Sequence, residues 1–349
     1  MKNEVIIIGA GLTGLTIAYL LQKKGVGATI IESRDRIGGR IHTVATESNS
    51  DLELGATWFG SGHVNLRGLL DEFNIGYFEQ YQEGESALVY NTMVPPHRFV
   101  TPTNEEKSNR IENGSNAIIK ALSNAFTGSI VLNEKIERIE DKGTYLKLTS
   151  HTNKAYSASK VIVTLPPKLI PSQIECIPEL PSELISAMNA THTWMSDAMK
   201  FTLTYKAPFW KEDGKSGMVI SQIGAATEIY DHSNYLQNQF ALMGFINQNL
   251  RNYSKEDRKE KIVEYLSEYL SSEAENYLDY KEKDWSLDKH TSTKEASNSR
   301  GLQLPYGNPI LNEKFMNDRL YFAGTETSKL FGGYMEGAII SAIDLAKSF

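Results

Sequence analysis

Near its start the chain carries an uninterrupted apolar run, Val5-Ile6-Ile7-Ile8, which breaks into Gly9-Ala10-Gly11-Leu12-Thr13-Gly14 and resumes as Ala28-Thr29-Ile30-Ile31-Glu32. An apolar run without polar alternation belongs to a strand buried on both faces. The G-x-G-x-x-G spacing at its end turns the chain into a helix, expected to run to about Lys24. Gly9 permits the turn, Gly11 lets backbone approach a pyrophosphate, and Gly14 packs helix on strand. Glu32 closes the second strand 23 residues after Gly9, where a carboxylate accepts hydrogen bonds from an adenosine ribose. This sequence of elements confines the N-terminal region to a doubly wound α/β domain with a dinucleotide at a helix N-terminus.

Composition narrows the partners. The 349 residues allow two or three domains, or one large domain interleaved with a smaller one. With 36 Lys+Arg against 43 Asp+Glu and no long basic run, nucleic acid and anionic membrane surfaces are excluded as principal partners and a small molecule is expected. The single cysteine, Cys176, permits neither an intramolecular disulfide nor a thiolate-rich zinc site. No metal is expected, and a reducing, cytoplasmic location fits best. The Val5–Leu21 stretch has the apolarity of a signal-peptide core, but it contains three glycines, follows Glu4 and lacks a small-x-small cleavage site. No apolar run approaches the roughly 20 residues of a membrane span, and none closes the chain at Phe349.

Periodicity places further elements. An amphipathic helix is expected over 63–73 with Leu66, Leu69, Leu70 and Phe73 on one face, and another over 117–126. Strands are expected at 130–139, 145–149 and 160–165, the last ended by Pro166-Pro167. The polar stretch from Gln82 to Arg110 reads as irregular chain or short strands. Strands of a second sheet are expected at 199–205 and 240–246. Ser254, with Asp257 three residues on, caps a helix whose inner stripe is Ile262, Leu266, Tyr269 and Leu270. A last strand at 319–323 precedes a last helix at 333–347.

Several motifs then occur in one order: Arg34-Asp35-Arg36-Ile37-Gly38-Gly39-Arg40, Glu53-Leu54-Gly55-Ala56-Thr57-Trp58-Phe59, Tyr321-Phe322-Ala323-Gly324-Thr325-Glu326-Thr327 and Gly333-Tyr334-Met335-Glu336-Gly337-Ala338. Together they resemble the flavin-dependent amine oxidase family, which includes monoamine and polyamine oxidases. Residues 161–167, 200–210 and Trp285 also fall in the family's order, so the resemblance covers nearly the whole chain. It implies an α/β architecture: a doubly wound Rossmann-type FAD-binding domain (1–77, 112–180 and 286–349) and a smaller mixed-sheet α+β substrate domain (78–111 and 181–285).

The resemblance also implies roles. Gly9, Gly11, Leu12, Thr13, Gly14, Glu32 and Arg34 fall on its adenosine–pyrophosphate motif. Gly39 would bring backbone close to the pyrophosphate and Arg40 would neutralise it, although a surface ion pair is the simpler reading of an isolated arginine. Gly55, Ala56, Thr57 and Trp58 fall on a second cofactor stretch. Ile136 would offer backbone to adenine, or be an ordinary core residue. Gly324 precedes Glu326, which resembles the residue bonding the ribityl chain. Tyr334 and Met335 open the last helix, whose positive end would face the flavin's pyrimidine edge. Trp58 and Trp285 would line the isoalloxazine, although core packing is the plain alternative for any of these aromatics. Two residues are expected to act in catalysis. Tyr334 resembles one wall of an aromatic cage, and Lys200, on an otherwise apolar strand, matches a lysine that bonds through water to flavin N5. Snorkelling to the surface is the alternative for Lys200.

Two departures qualify the resemblance. Members with covalent flavin use a cysteine about nine residues beyond the tryptophan matched by Trp285, and the second cage tyrosine follows it. Here Thr293, Lys294 and Glu295 fall there, with no thiol or aromatic among them. FAD is therefore expected to be bound non-covalently, with the cage incomplete or completed from elsewhere. The 82–110 segment is also short for the helical roof of larger members, leaving the site open, covered by another chain in a homo-oligomer, or turned to other chemistry. The expected function is FAD-dependent oxidation of an amine to an imine, with dioxygen reduced to hydrogen peroxide. The alternatives are desaturation or oxidation of a bulky apolar or cyclic substrate, and a non-catalytic flavin-fold binding protein. An amino-acid substrate would need a cation for its carboxylate, from among Arg67, Arg98 and Arg300.

Overall fold

The computed structural model describes residues 3–48, 51–102, 106–293 and 306–349. Val5, Ile6 and Ile7 are completely buried and Ile8 nearly so, because the strand Asn3–Ile8 lies inside an eight-stranded sheet. That sheet runs Ser129–Val131, Ala28–Ile31, Asn3–Ile8, Ala155–Val163, Leu146–Ser150, Ile136–Asp141, Glu175–Ile177, with Leu320–Phe322 also paired to Ala155–Val163. Asn3–Ile8 is parallel to both neighbours, and Leu320–Phe322 is parallel to Ala155–Val163. The Leu146–Ser150 strand is antiparallel to both of its neighbours.

The helices Leu12–Lys23, Val64–Glu72, Asn116–Ala125 and Met335–Ala346 supply Leu15, Leu66, Ile118 and Ile339 to one core, which also takes in Val5 and Ile7. Ile6 and Ile8 contribute to the core on the opposite face, so the sheet is covered on both sides. Helix Ser182–Ala190 packs Leu184 and Met188 into this second core. It therefore belongs with the first sheet, although it falls within the 181–285 segment expected of the second region.

The second sheet has the order Asp279–Asp284, Met199–Tyr205, Phe240–Ile246, Ala226–Asp231, Lys215–Ser221, Glu85–Val89, His97–Val100. It is antiparallel except where Glu85–Val89 meets Lys215–Ser221. The 82–110 stretch thus forms short strands, two of which extend this sheet. Every residue of Met199–Tyr205 is buried, because this strand faces the first domain on one side and the helix Lys255–Tyr269 lies across the other core. Ser254 accepts a hydrogen bond from Asp257 N as expected, and Ile262, Tyr265, Leu266 and Tyr269 form the buried stripe. Among the described residues, no helix is long and apolar enough to cross a membrane.

Candidate active site

The glycine turn creates an open slot between the sheets. Gly9 adopts φ +108°, and a Cβ on Gly14 would collide with Gly9 O, so Gly14 packs helix on strand and does not line the slot. Gly11 sits at the N-cap of Leu12–Lys23 without any side-chain cap, and Tyr334 sits likewise at the start of Met335–Ala346. Both helix N-termini therefore present unpaired amides and positive dipole ends to the same slot. The slot is lined by Gly9, Gly11, Leu12, Thr13, Glu32, Arg34, Gly39 and Arg40, together with Ala56, Tyr334 and Met335. Thr13 Oγ1 donates to Ala338 O at 3.2 Å, fixing one helix start against the other.

At the end of the slot beside the second strand, Glu32 is buried and its Oε2 accepts from Ala10 N at 2.7 Å, while Oε1 accepts from Arg34 N at 2.9 Å. A recess bounded by Ile31, Ser33, Ile136, Leu169 and Ile174 shares Gly9, Leu165 and His290 with the slot. Arg34 reaches away from the glycine turn: its Nη2 donates to Asp288 Oδ1 at 2.7 Å and to Thr291 Oγ1 at 3.0 Å. Lys283 holds the other oxygen of Asp288 at 2.8 Å. Burial opposes the charge on Asp288, but the two cations outweigh it and hold the carboxyl at about 2. Arg34 thus clasps the 288–291 loop over the slot.

Three of the expected cofactor residues sit back from the slot. Glu326 does not line the slot. It is completely buried and holds Arg40, with Nη1 to Oε1 at 2.5 Å and Nη2 to Oε2 at 3.0 Å. Gly324 lies behind it, its N–H donating to Ser341 Oγ at 3.0 Å. Trp285 lines neither the slot nor the chamber that adjoins it. Its indole N–H donates to Leu54 O at 2.7 Å and its ring is fully buried beneath Lys283 and beside His42, so it props up the 52–57 stretch from outside.

The slot continues into a chamber of about 430 Å³, the two sharing Ala56, Met195, Gly333, Tyr334 and Met335. The chamber is walled by Trp58, Trp194, Phe245, Tyr306 and Tyr334, with Lys200 at its base. Trp58 is locked by its N–H to Gln80 Oε1 at 2.8 Å, and Gln80 in turn donates to Asp231 O. Trp194 meets Phe245 edge-on at 6.0 Å. His63 packs edge-on to Tyr334 at 5.5 Å between centroids. Tyr306 lies against Gly332, where any Cβ would overlap its ring. An aromatic therefore stands near Tyr334 although none follows Trp285 at the family spacing.

Lys200 is 1 % exposed, so it does not snorkel. Its Nζ donates to Gly55 O and Thr57 Oγ1, each at 2.8 Å, and lies 5.6 Å from the Trp58 ring and 5.3 Å from that of Phe245. Burial pushes its ammonium down to about 7; Glu53 favours the charged form and Arg110 opposes it. Cys176 is buried in the first-sheet core, where burial raises its thiol to about 12, and it lines none of these cavities. Arg67 is turned to Tyr77 OH and Arg98 to Tyr269 O, and neither lines the chamber. Lys294, Glu295 and Arg300 lie outside the described residues.

Sequence reasoning missed Thr164 and Pro166, which line the slot where Ala155–Val163 ends. Their signal was available: ligands of doubly wound sheets sit beyond the carboxyl ends of parallel strands, and Pro166-Pro167 marks that end. Trp194, Met195, Phe245, Tyr306 and His290 carried no comparable signal.

The slot, with uncapped helix starts, a held arginine and a buried acid at one end, fits a dinucleotide. Residues 76–348 match the family described as flavin containing amine oxidoreductase, and residues 7–73 match the NAD(P)-binding Rossmann-like domain. A probable flavin-containing monoamine oxidase A of Dictyostelium discoideum is 23% identical, the match covering 99% of this chain and 96% of that protein. It runs over 455 positions against the 349 residues here, so this chain lacks segments the relative has. A flavin-containing amine oxidase of Oncorhynchus mykiss is 26% identical over 96% of this chain and 83% of its own length. The fold matches wild-type putrescine oxidase bound to putrescine, with a TM-score of 0.84 at 21% identity over 100% of this chain and 99% of that one. It also matches cyclohexylamine oxidase from Brevibacterium oxydans IH-35A, with a TM-score of 0.81 at 17% identity over 100% and 99% of the two chains.

Proposed function

Because the chain belongs to the flavin-containing amine oxidoreductase family, we propose that it binds FAD non-covalently and oxidises lipophilic monoamines with dioxygen as the electron acceptor. The observation that carries this reading is the chamber lining: five aromatic rings, two methionines and one basic side chain, with no carboxylate or arginine among the described residues. A second ammonium on a diamine would be stripped of water there with no counter-charge from the described residues, at a cost of several kcal/mol. An amino acid would face the same difficulty with its carboxylate.

When bound, FAD supplies the hydride acceptor and passes the electrons to dioxygen. The residues that would hold it are Gly9, Gly11, Leu12 and Thr13 around the pyrophosphate with Arg40, Glu32 at the ribose, the recess at Ile136 for adenine, and the start of Met335–Ala346 with Ala56 towards the ring system. Trp58, Phe245, Tyr306 and Tyr334 bind the amine through apolar and ring contacts and exclude water. The nearby Lys200 disfavours a cationic substrate, so the amine enters as its free base, with the nitrogen lone pair available. The substrate loses a hydride from its α carbon and a proton from nitrogen, giving an imine that water hydrolyses to a carbonyl compound and ammonia. Dioxygen takes up two electrons and two protons to become hydrogen peroxide. Lys200, in its cationic form, stabilises negative charge building on dioxygen.

Peroxide release and carbonyl product measured across benzylamine, a long-chain alkylamine, putrescine and phenylalanine test the reading. Turnover of the first two and not the last two is expected. Turnover confined to putrescine, or oxidation of cyclic alkenes alone, would overturn it.

A further inference from the structure

Lys200 is not the only buried ionisable group beneath the chamber. Glu53, 2 % exposed, lies two residues before Gly55, whose carbonyl holds Lys200 Nζ. Glu53 itself lines neither cavity. Its Oε1 accepts from Ser115 N at 2.5 Å and Thr43 Oγ1 at 2.9 Å, and its backbone N–H donates to His232 Nε2 at 3.0 Å. The second oxygen, Oε2, is buried and has no hydrogen-bond partner. Two donors on one oxygen fix the carboxyl group in place and favour its anion, and the other oxygen is left without a partner.

We propose that Glu53 is the positioning residue that keeps Lys200 cationic, and thereby sets the pH range in which Lys200 serves the dioxygen half of the reaction. The proposal rests on the role given to Lys200 above. Both hydrogen-bond partners of Lys200, Gly55 O and Thr57 Oγ1, are neutral acceptors, which favour the ammonium without bringing a counter-charge to it. The charges facing it act in addition. Glu53 comes from the strand Leu52–Glu53, Arg110 from Asn109–Ile111, and His232 from the end of Ala226–Asp231. On the adjoining strand, Lys283 is the cross-strand partner of Lys200 but is taken up by Asp288. Arg110 repels Lys200, and His232 is driven well below its usual range by burial and by the two neighbouring cations. Glu53 is the one member of this set that favours charge on Lys200. Burial is the largest influence on the Glu53 carboxyl and leaves it raised above its ordinary value, while Ser115, Lys200, Thr43 and Arg110 each favour the anion.

The FAD-loaded protein grown with [13Cε]lysine permits a direct test, with Lys200→Met identifying the resonance. Lys200 should titrate near 7 in the wild type. Glu53→Gln keeps the acceptor for Ser115 and Thr43 but removes the charge, and should lower that midpoint by about one pH unit or more. Glu53→Asp restores the charge and should bring the midpoint back towards the wild type even where it costs stability, which a packing role would not do. Arg110→Gln, from the opposite side, should raise the midpoint. An unmoved midpoint in Glu53→Gln, or a fall in Arg110→Gln, overturns the pairing, and either variant decides it if the other does not fold. The pH profile of cofactor reoxidation, read by stopped flow, should move in parallel. A shifted resonance with an unshifted profile would leave the pair standing and overturn the role of Lys200 with dioxygen.

Discussion

Arg40 and Glu326, 286 positions apart in the chain, meet in a two-point ion pair, with Nη1 2.5 Å from Oε1 and Nη2 3.0 Å from Oε2. Arg40 faces the slot while Glu326 is wholly buried behind it, so the two partners are unequal. Arg40→Met leaves a buried carboxylate unpaired and should destabilise the protein by about 3–5 kcal/mol. Glu326→Gln frees an arginine that a cofactor pyrophosphate can still satisfy, and should cost less. Thermal melts with and without added FAD check this: the ligand should restore Glu326→Gln more fully than Arg40→Met.

Glu32 accepts from Ala10 and Arg34 backbone amides while facing the slot. Glu32→Ala removes both a brace of the glycine turn and the proposed ribose acceptor. The loss of hydrogen bonds to a charged group is worth about 1.5–3 kcal/mol, or roughly ten- to a hundredfold in FAD affinity. Equilibrium dialysis measures it, and unchanged affinity would remove Glu32 from the site.

Cys176, the chain's one cysteine, is buried in the core of the first sheet, away from the chamber and with its thiol pushed up to about 12. Unfolding and filtering the yellow protein should therefore pass all flavin into the filtrate. Colour retained on the polypeptide would contradict non-covalent binding.

Much of this site was legible because its constraints are local. The turn at Gly9 needs a positive φ, and the third glycine needs room against Gly9 O, so spacing alone announces them. Lys200 was legible for the opposite reason: an ammonium among apolar strand residues demands an explanation, and its bonds to Gly55 and Thr57 provide one. Glu326 and Trp285 are wholly buried, one layer behind the cavities. The sequence motif marks their position in the chain, but whether a side chain faces the cavity or braces a neighbour depends on packing between distant segments, here Arg40 and Leu54. Tyr306, Trp194 and Phe245 come from a loop, a short turn and a strand of the second sheet. Only tertiary assembly brings them together, so their spacing along the chain does not announce a shared wall.

The electrostatics of Lys200 carry a pH prediction. Burial lowers its ammonium to about 7, so the cation is present below that pH and lost as pH rises through it. Reoxidation of the reduced protein by dioxygen should accordingly slow from pH 6 to pH 8. Lys200→Met should abolish that dependence and slow reoxidation about a hundredfold, the usual scale for one positioned charge, while anaerobic reduction by amine persists. Stopped-flow measurement of the two half-reactions separates these effects.

The most direct test of the account is anaerobic mixing of the FAD-loaded protein with benzylamine, followed by air. The account predicts that the yellow absorbance bleaches with the amine, that putrescine at the same concentration bleaches it far more slowly, and that air restores the colour with one hydrogen peroxide per flavin. A flavin that stays yellow with every lipophilic monoamine, yet bleaches with putrescine or with a cyclic alkene, would contradict it.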